Sequence, residues 1–261
     1  MRHIPALIAA ALMALPALAQ VKPVWADEFD KDGLPDPAKW TYDTGGHGWG
    51  NRELQFYMAD RLENARVKGG MLHITARKQD HEGKAYTSSR MVSKAGWKYG
   101  YIEIRAKLPK GRGTWPALWM LPSARWEKTG PGWPLCGEID IMEHVGYDEG
   151  VIHGTVHTGA YNHVKGTQKG EQVAVPDATS EFHVYAVDWR PDRIEVLVDG
   201  KPYFSFADEG TGPEAWPFNA PFKLLMNIAV GGNWGGRKGV DESVFPQQLV
   251  IDYVRVYERR P

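Results

Sequence analysis

Residues 193–206 read R-I-E-V-L-V-D-G-K-P-Y-F-S-F. Apolar and polar residues alternate on both sides of Asp199-Gly200, and this dipeptide is typical of a two-residue β-hairpin. No segment keeps the 3.6-residue period of a helix, and the 18 prolines also disfavour a helical domain. The sequence therefore predicts an all-β chain folded as one β-sandwich. Similar alternation occurs at 101–108, 182–189 and 250–257.

Composition narrows the possible functions. The chain has 261 residues, with 31 basic and 32 acidic side chains and a formal net charge of −1. This balance gives no indication of a nucleic acid or anionic membrane partner, and it disfavours a polyanionic substrate. The 11 Trp and 11 Tyr indicate either a large aromatic core or surfaces that stack on sugars. With one cysteine, no internal disulfide is expected.

The first 20 residues, M-R-H-I-P-A-L-I-A-A-A-L-M-A-L-P-A-L-A-Q, have the pattern of a secretory signal. A short basic start precedes an apolar run, and Ala17-Leu18-Ala19 predicts cleavage after Ala19. The alternative is an N-terminal membrane anchor, but the run is short for a span of ~20 residues. We therefore expect a signal peptide at 1–19 and a single domain at 20–261. The mature protein is expected to be a secreted or periplasmic monomer without membrane contact.

Three carboxylates crowd the segment L-C-G-E-I-D-I-M-E-H-V-G at 135–146. Side chains alternate faces on a strand, so Glu138 and Asp140 share a face while Glu143 comes one residue late. A β-bulge with Met142 as the inserted residue returns Glu143 to the common face. Glu138 and Glu143 are then ~13 Å apart along the backbone, and their side chains can approach to ~5–6 Å. That separation allows a retaining glycosidase, for which ~5–5.5 Å is typical.

The chemistry expected of this segment follows from charge crowding. Carboxylates this close cannot all ionise easily, so their pKa values separate. One glutamate can then stay protonated as a general acid while the other is an ionised nucleophile, and Asp140 can hydrogen-bond Glu138. From charge alone, an ordinary exposed strand with three solvated acids is the competing interpretation.

The sequence resembles glycoside hydrolase family 16, in its bacterial laminarinase (endo-β-1,3-glucanase) branch. G-E-I-D-I-M-E matches the family signature E-x-D-x-x-E, and the resemblance covers essentially the whole mature chain. Further matching segments are N-R-E-L-Q-F-Y at 51–57, K-Y-G-Y-I-E-I-R-A-K-L-P-K-G-R-G-T-W-P-A-L-W-M-L-P at 98–122, G-T-V-H at 154–157, W-P-F-N-A-P-F and G-G-N-W-G-G within 216–236, and F-P-Q-Q-L-V-I-D-Y-V-R-V-Y at 245–257.

The resemblance implies a jelly-roll sandwich of two antiparallel sheets with a concave cleft for a β-glucan. It implies Glu138 as the nucleophile, Asp140 as its assistant, Glu143 as the acid/base, and His157 as a histidine near the acid/base. The implied sugar contacts are stacking on Trp115, Trp119 and Trp234 and hydrogen bonds from Asn51 and Arg90 in the donor subsites.

A structural rather than catalytic Ca²⁺ is also implied, at Glu28, Gly70 and Asp252. Residues 25–30 open the mature chain and 251–256 nearly close it. Because the termini of a sandwich often lie close together, we expect these segments to form neighbouring strands. Carboxylate and carbonyl oxygens there are suitable ligands for a hard cation.

Several alternatives remain open from the sequence. A mixed-linkage glucanase (lichenase) and a galactan hydrolase share the acidic pattern, and a transglycosylase would use a sugar in place of water. A non-catalytic β-glucan-binding sandwich belongs to another class, and it is disfavoured because all three acids are present. His153 and His157 have the i, i+4 spacing of a zinc-binding helix, but on a strand they lie some 13 Å apart.

Overall fold

The computed structural model describes residues 21–261, so the predicted signal peptide lies outside the described residues. Within that range the chain forms 17 strands, one short α-helix and one 3₁₀ helix, α1 (Ala124–Glu127) and Glu242–Val244. In chain order the strands are β1 (Trp25–Asp27), β2 (Trp40–Tyr42), β3 (Gln55–Tyr57), β4 (Ala65–Val67), β5 (Leu72–His81), β6 (Lys84–Ser88), β7 (Arg90–Ser93), β8 (Gly100–Lys107), β9 (Thr114–Pro122), β10 (Glu138–Glu143), β11 (Val151–His157), β12 (Lys169–Ala174), β13 (His183–Arg190), β14 (Arg193–Val198), β15 (Lys201–Ala207), β16 (Phe222–Val230) and β17 (Gln247–Tyr257).

The strands form two sheets, which confirms the predicted all-β sandwich. One sheet has ten strands in the order β15-β14-β13-β8-β17-β5-β6-β3, with β1 paired to β17 and β4 to β5. The other has seven strands in the order β12-β11-β10-β9-β16-β7-β2. Pairing is antiparallel except between β3 and β6. The acidic strand β10 lies inside the seven-stranded sheet, between β9 and β11.

The predicted hairpin joins β14 to β15. Val198 pairs with Lys201, and Asp199 and Gly200 have φ of 48° and 73°, the left-handed conformation that such a turn needs. At the other end of the chain, β1 pairs with β17, with Ala26 opposite Arg255. The two segments predicted to be neighbours are therefore adjacent strands.

The core fills the space between the sheets. Ile104 from the ten-stranded sheet and Met120 and Leu224 from the seven-stranded sheet belong to one buried cluster. Trp40 and Trp189 are almost completely buried in it. Truncating either indole to alanine is expected to cost about 3–5 kcal/mol. No helix among residues 21–261 is long and apolar enough to cross a membrane.

Candidate active site

A β-bulge shapes the acidic strand. Against β9, Asp140 pairs with Trp119 and Met142 with Leu118, so Ile141 has no partner of its own. Against β11 the register shifts between Asp140 and Glu143. The bulge is confirmed, but the residue without a partner on the β9 side is Ile141 rather than Met142.

The bulge sends two consecutive apolar side chains into the core. Ile141 and Met142 are both fully buried in the cluster between the sheets. Two core-facing residues in succession reverse the alternation, so Glu138, Asp140 and Glu143 all line the cleft on the opposite face.

Tyr203, on β15 of the other sheet, approaches this bulge from the core side. Its hydroxyl makes a long hydrogen bond of 3.5 Å to the carbonyl of Ile141. The Tyr203 hydroxyl fits there because residue 154 on β11 is a glycine. A Cβ at Gly154 would lie only 2.6 Å from the hydroxyl oxygen.

The cleft above the seven-stranded sheet has a volume of about 890 Å³. It collects all nine residues predicted for catalysis or sugar binding, whereas the three predicted metal ligands do not line it. The nine are Glu138, Asp140, Glu143, His157, Asn51, Arg90, Trp115, Trp119 and Trp234.

Burial raises the pKa values of all three acids, and repulsion from neighbouring carboxylates adds to this for Glu138 and Asp140. Loss of water, followed by the charge of Glu143, raises the pKa of Glu138 to about 8. Loss of water raises the pKa of Glu143 to about 7, against a lowering hydrogen bond from Trp115. Burial and the two glutamates raise the pKa of Asp140 well above its usual range. The three acids therefore carry fewer than three negative charges at neutral pH, and the form with Glu138 ionised and Glu143 protonated is a minority of the protonation states of the free protein.

The structure corrects the expected position of His157. The antiparallel register places His157 opposite Glu138 and His153 opposite Glu143. His157 Nε2 lies 3.4 Å from Asp140 Oδ2 and 3.9 Å from Glu138 Oε1, so it is near the predicted nucleophile rather than the acid/base. Burial lowers the pKa of His157 to about 4 and keeps its ring neutral at neutral pH.

Trp115 and Trp119 share the cleft-facing side of β9, and the indole nitrogen of each donates a hydrogen bond to a neighbouring side chain. Trp115 Nε1 donates to Glu143 Oε1 at 3.0 Å, and Trp119 Nε1 donates to Asn227 Oδ1 at 2.7 Å. Trp234 packs edge-on against Trp115, with ring centroids 5.5 Å apart.

Arg90 is buried between two indoles. Its guanidinium carbon lies 4.6 Å from the ring centroids of both Trp49 and Trp119, and its Nε lies 3.1 Å from Asp43 Oδ2. One face of Trp119 is thus occupied by the guanidinium. Cation–π contact and the ion pair hold Arg90 in place at the cleft wall.

The cleft-lining residues that sequence reasoning missed include Trp49, Glu53 and Trp133. Trp49 and Trp133 lie in loops outside the strands. Loop residues have no alternation that marks a face, so periodicity could not find them. Glu53 stands inside the quoted segment N-R-E-L-Q-F-Y, which was the available signal.

The predicted calcium ligands lie away from the cleft on the paired terminal strands and a nearby turn. The Glu28 carboxylate receives two hydrogen bonds of 2.8 Å from Arg255, and Asp252 Oδ2 lies 2.6 Å from Arg105 Nη1. The negative charge of each carboxylate is therefore already paired with the positive charge of an arginine. A calcium ion at these residues would have to use the backbone carbonyls of Glu28 and Gly70 and the second oxygen of Asp252.

A β-sandwich whose sheet carries two glutamates, a supporting aspartate and aromatic walls in one cleft has the site of a glycoside hydrolase. The model of the family "Glycosyl hydrolases family 16" matches residues 51–255. The chain belongs to this family.

Individual relatives cover nearly the whole chain. A "Beta-glucanase" of Rhodothermus marinus is 60% identical over 241 residues, covering 90% of this chain and 84% of the relative. The X-ray structure of the laminarinase from Rhodothermus marinus superposes with a TM-score of 0.89 at 56% identity, covering 93% of this chain and 99% of that one. The crystal structure of SCLam, a non-specific endo-β-1,3(4)-glucanase, gives a TM-score of 0.85 at 47% identity, covering 95% and 94%.

Proposed function

We propose that the protein is a retaining endo-β-1,3-glucanase that hydrolyses laminarin-like or mixed-linkage β-glucans. The observation that carries the proposal is the bulge in β10, which turns Glu138, Asp140 and Glu143 into one cleft with indole walls. The names of the similar proteins, a β-glucanase, a laminarinase and an endo-β-1,3(4)-glucanase, support the substrate class.

Hydrolysis proceeds by two displacements at the anomeric carbon. The Glu138 carboxylate attacks C1, the bond from C1 to the bridging oxygen breaks, and Glu143 gives its proton to that oxygen. A glycosyl ester on Glu138 results. Glu143, now ionised, removes a proton from water, the hydroxyl attacks C1, and Glu138 leaves as a carboxylate.

The surroundings support these assignments. Esterification removes the charge of Glu138, and loss of a neighbouring negative charge lowers the pKa of Glu143 when it must act as a base. The raised pKa of Asp140 keeps this neighbour neutral, so it adds no negative charge that would oppose ionisation of Glu138 before attack. The neutral His157 lies 3.4 Å from Asp140 and adds no positive charge to the site.

The test is hydrolysis of a panel of laminarin, curdlan, lichenan, agarose and xyloglucan, followed by reducing-end assay and product sizing. We expect release of short oligosaccharides from laminarin and curdlan. Cleavage of lichenan alone would assign a mixed-linkage glucanase, and cleavage of agarose a galactan hydrolase. Binding to laminarin without release of reducing ends would assign a non-catalytic binding protein.

We also propose export of the chain and a structural calcium ion. The basic and apolar pattern of residues 1–19 supports export, and mass spectrometry of protein from the producing cell should find an N-terminus at Gln20. The oxygen-rich terminal strands support the ion. Calorimetric titration should detect binding that substitution of Asp252 by Ala removes, and an unchanged titration would contradict it.

A further inference from the structure

One buried carboxylate in the cleft has no part in the two displacements. Glu53 is only 6% exposed, and its backbone bridges to Gly231 beside the cleft. It lines the same cleft as Glu138 and Glu143 but lies on a different segment, two residues before the start of β3. A carboxylate this deeply buried is costly unless neighbouring groups compensate it.

Three donors converge on Glu53. Asn51 Nδ2 donates to Oε1 at 3.2 Å, and Gln55 Nε2 and the Tyr57 hydroxyl donate to Oε2 at 2.6 and 3.2 Å. An ionised carboxylate only accepts hydrogen bonds, so it determines which atom each neighbour presents to it. Asn51 must therefore turn its nitrogen towards Glu53, which leaves its Oδ1 as the acceptor available to the cleft.

The direction of hydrogen-bond donation that Glu53 sets continues from Tyr57 along the wall of the cleft. Because the Tyr57 hydroxyl gives its proton to Glu53, its oxygen accepts from Asn227 Nδ2 at 3.0 Å. Asn227 Oδ1 then faces the other way and accepts from Trp119 Nε1 at 2.7 Å. The orientation of the Trp119 indole is thus fixed through three successive hydrogen bonds that start at Glu53.

Charge links Glu53 to the remaining part of this wall. Burial raises the pKa of Glu53, and the three hydrogen bonds together with the positive charge of Arg90 oppose that rise and favour the ionised form. Arg90 in turn lies over the Trp119 ring. Glu53 therefore supports both groups that flank the indole, namely Asn227 at its edge and Arg90 on its face.

We propose that Glu53 is a positioning residue for the donor wall, defined as Asn51, Arg90, Trp119 and Asn227. It sets the Asn51 amide so that an oxygen accepts from a sugar hydroxyl, and it fixes the Trp119 indole through Tyr57 and Asn227. The inference rests on the proposed glucanase activity, and it assigns a specificity role to a residue outside the catalytic trio.

The direct perturbation is Glu53→Gln, which preserves shape but puts an NH₂ group among three donors. If the new carbonyl accepts from Gln55 and Tyr57, the NH₂ faces Asn51, whose amide reverses and turns its nitrogen to the cleft. One sugar hydrogen bond is lost, so KM for laminarioligosaccharides should rise roughly 10-fold, with a smaller change in kcat.

Tyr57→Phe provides a second variant that keeps Glu53. It removes only the hydroxyl link to Asn227, so KM should also rise, and the Glu53→Gln/Tyr57→Phe double variant should be less impaired than the product of the single effects. Non-additivity of this kind is expected of residues in one hydrogen-bond network. If Glu53→Gln fails to fold, Tyr57→Phe with an unchanged KM contradicts the relay by itself.

The matched control is Asp188→Asn, which removes a carboxylate that is similarly buried, on β13, and hydrogen-bonded by Arg190. It should lower the melting temperature without changing KM. A Glu53→Gln variant that behaves in the same way would overturn the positioning role. Wild-type protein that releases no reducing ends from laminarin would instead refute the proposed function, so the two failures are distinguishable.

Discussion

Trp115→Phe tests the electrostatics of the proposed acid/base. The variant keeps an aromatic ring at the cleft but removes the indole N–H that donates to Glu143 Oε1 at 3.0 Å. That hydrogen bond favours the ionised carboxylate and lowers the pKa of Glu143, which burial raises to about 7. Removing the donor should therefore raise the pKa further.

The magnitude follows from the strength of a hydrogen bond to a charged group. Such bonds contribute about 1.5–3 kcal/mol, and one pKa unit corresponds to about 1.4 kcal/mol. The pKa of Glu143 should rise by ~1–2 units. Glu143 must be protonated to start the reaction, so the alkaline limb of the kcat/KM profile should move to higher pH.

The assay is initial-rate hydrolysis of laminarioligosaccharides from pH 4 to pH 10 for the wild type and the variant. Trp234→Phe is the matched control, because Trp234 packs edge-on against Trp115 without a hydrogen bond to the carboxylates of the site. Its alkaline limb should stay in place. An unmoved limb in Trp115→Phe, or a shift to lower pH, would refute the reasoning about Glu143.

Three further predictions concern the carboxylates, the bulge and the metal. Glu138→Gln should retain less than a hundredth of wild-type kcat. Burial raises the pKa of Glu138 to about 8 in the folded protein, so the free energy of unfolding falls as pH rises above ~4.3. Thermal melts should therefore show Glu138→Gln more stable than wild type at pH 8 and equally stable at pH 4. Gly154→Ala should cost about 1–3 kcal/mol in denaturant unfolding and lower kcat, since its Cβ meets Tyr203; unchanged values would refute that constraint. EDTA should lower the melting temperature but not the initial rate at moderate temperature, and immediate inactivation would assign the ion to catalysis.

The sheets were predictable because strand alternation and turn pairs are local. Asp199-Gly200 forms the predicted hairpin, and 101–108 differs by only one residue at each end from the observed Gly100–Lys107. The bulge was predictable from one missed alternation in β10. The alternation alone could not decide whether Ile141 or Met142 lacks a partner, because that depends on the register of β10 against β9.

The details of the site depend on contacts between distant segments. His157 is beside Asp140 and Glu138 because of the β10–β11 register, which no local pattern encodes. The covering of Trp119 by Arg90 joins β9 to β7, and Trp133 reaches the cleft from a loop. Types of residue at the site could thus be predicted, but their partners required the fold.

The central claim is that the bulged strand presents Glu138 as the nucleophile, with Glu143 as its acid/base partner. The most direct measurement is to incubate the protein with a 2-deoxy-2-fluoro-β-laminaribioside that carries a good leaving group, and to map the labelled peptide by mass spectrometry. The fluorine slows release of the glycosyl ester, so the account predicts one covalent sugar on Glu138 and none on the Glu138→Gln variant. A label on Glu143, or inactivation of the Glu138→Gln variant at the wild-type rate, would contradict it.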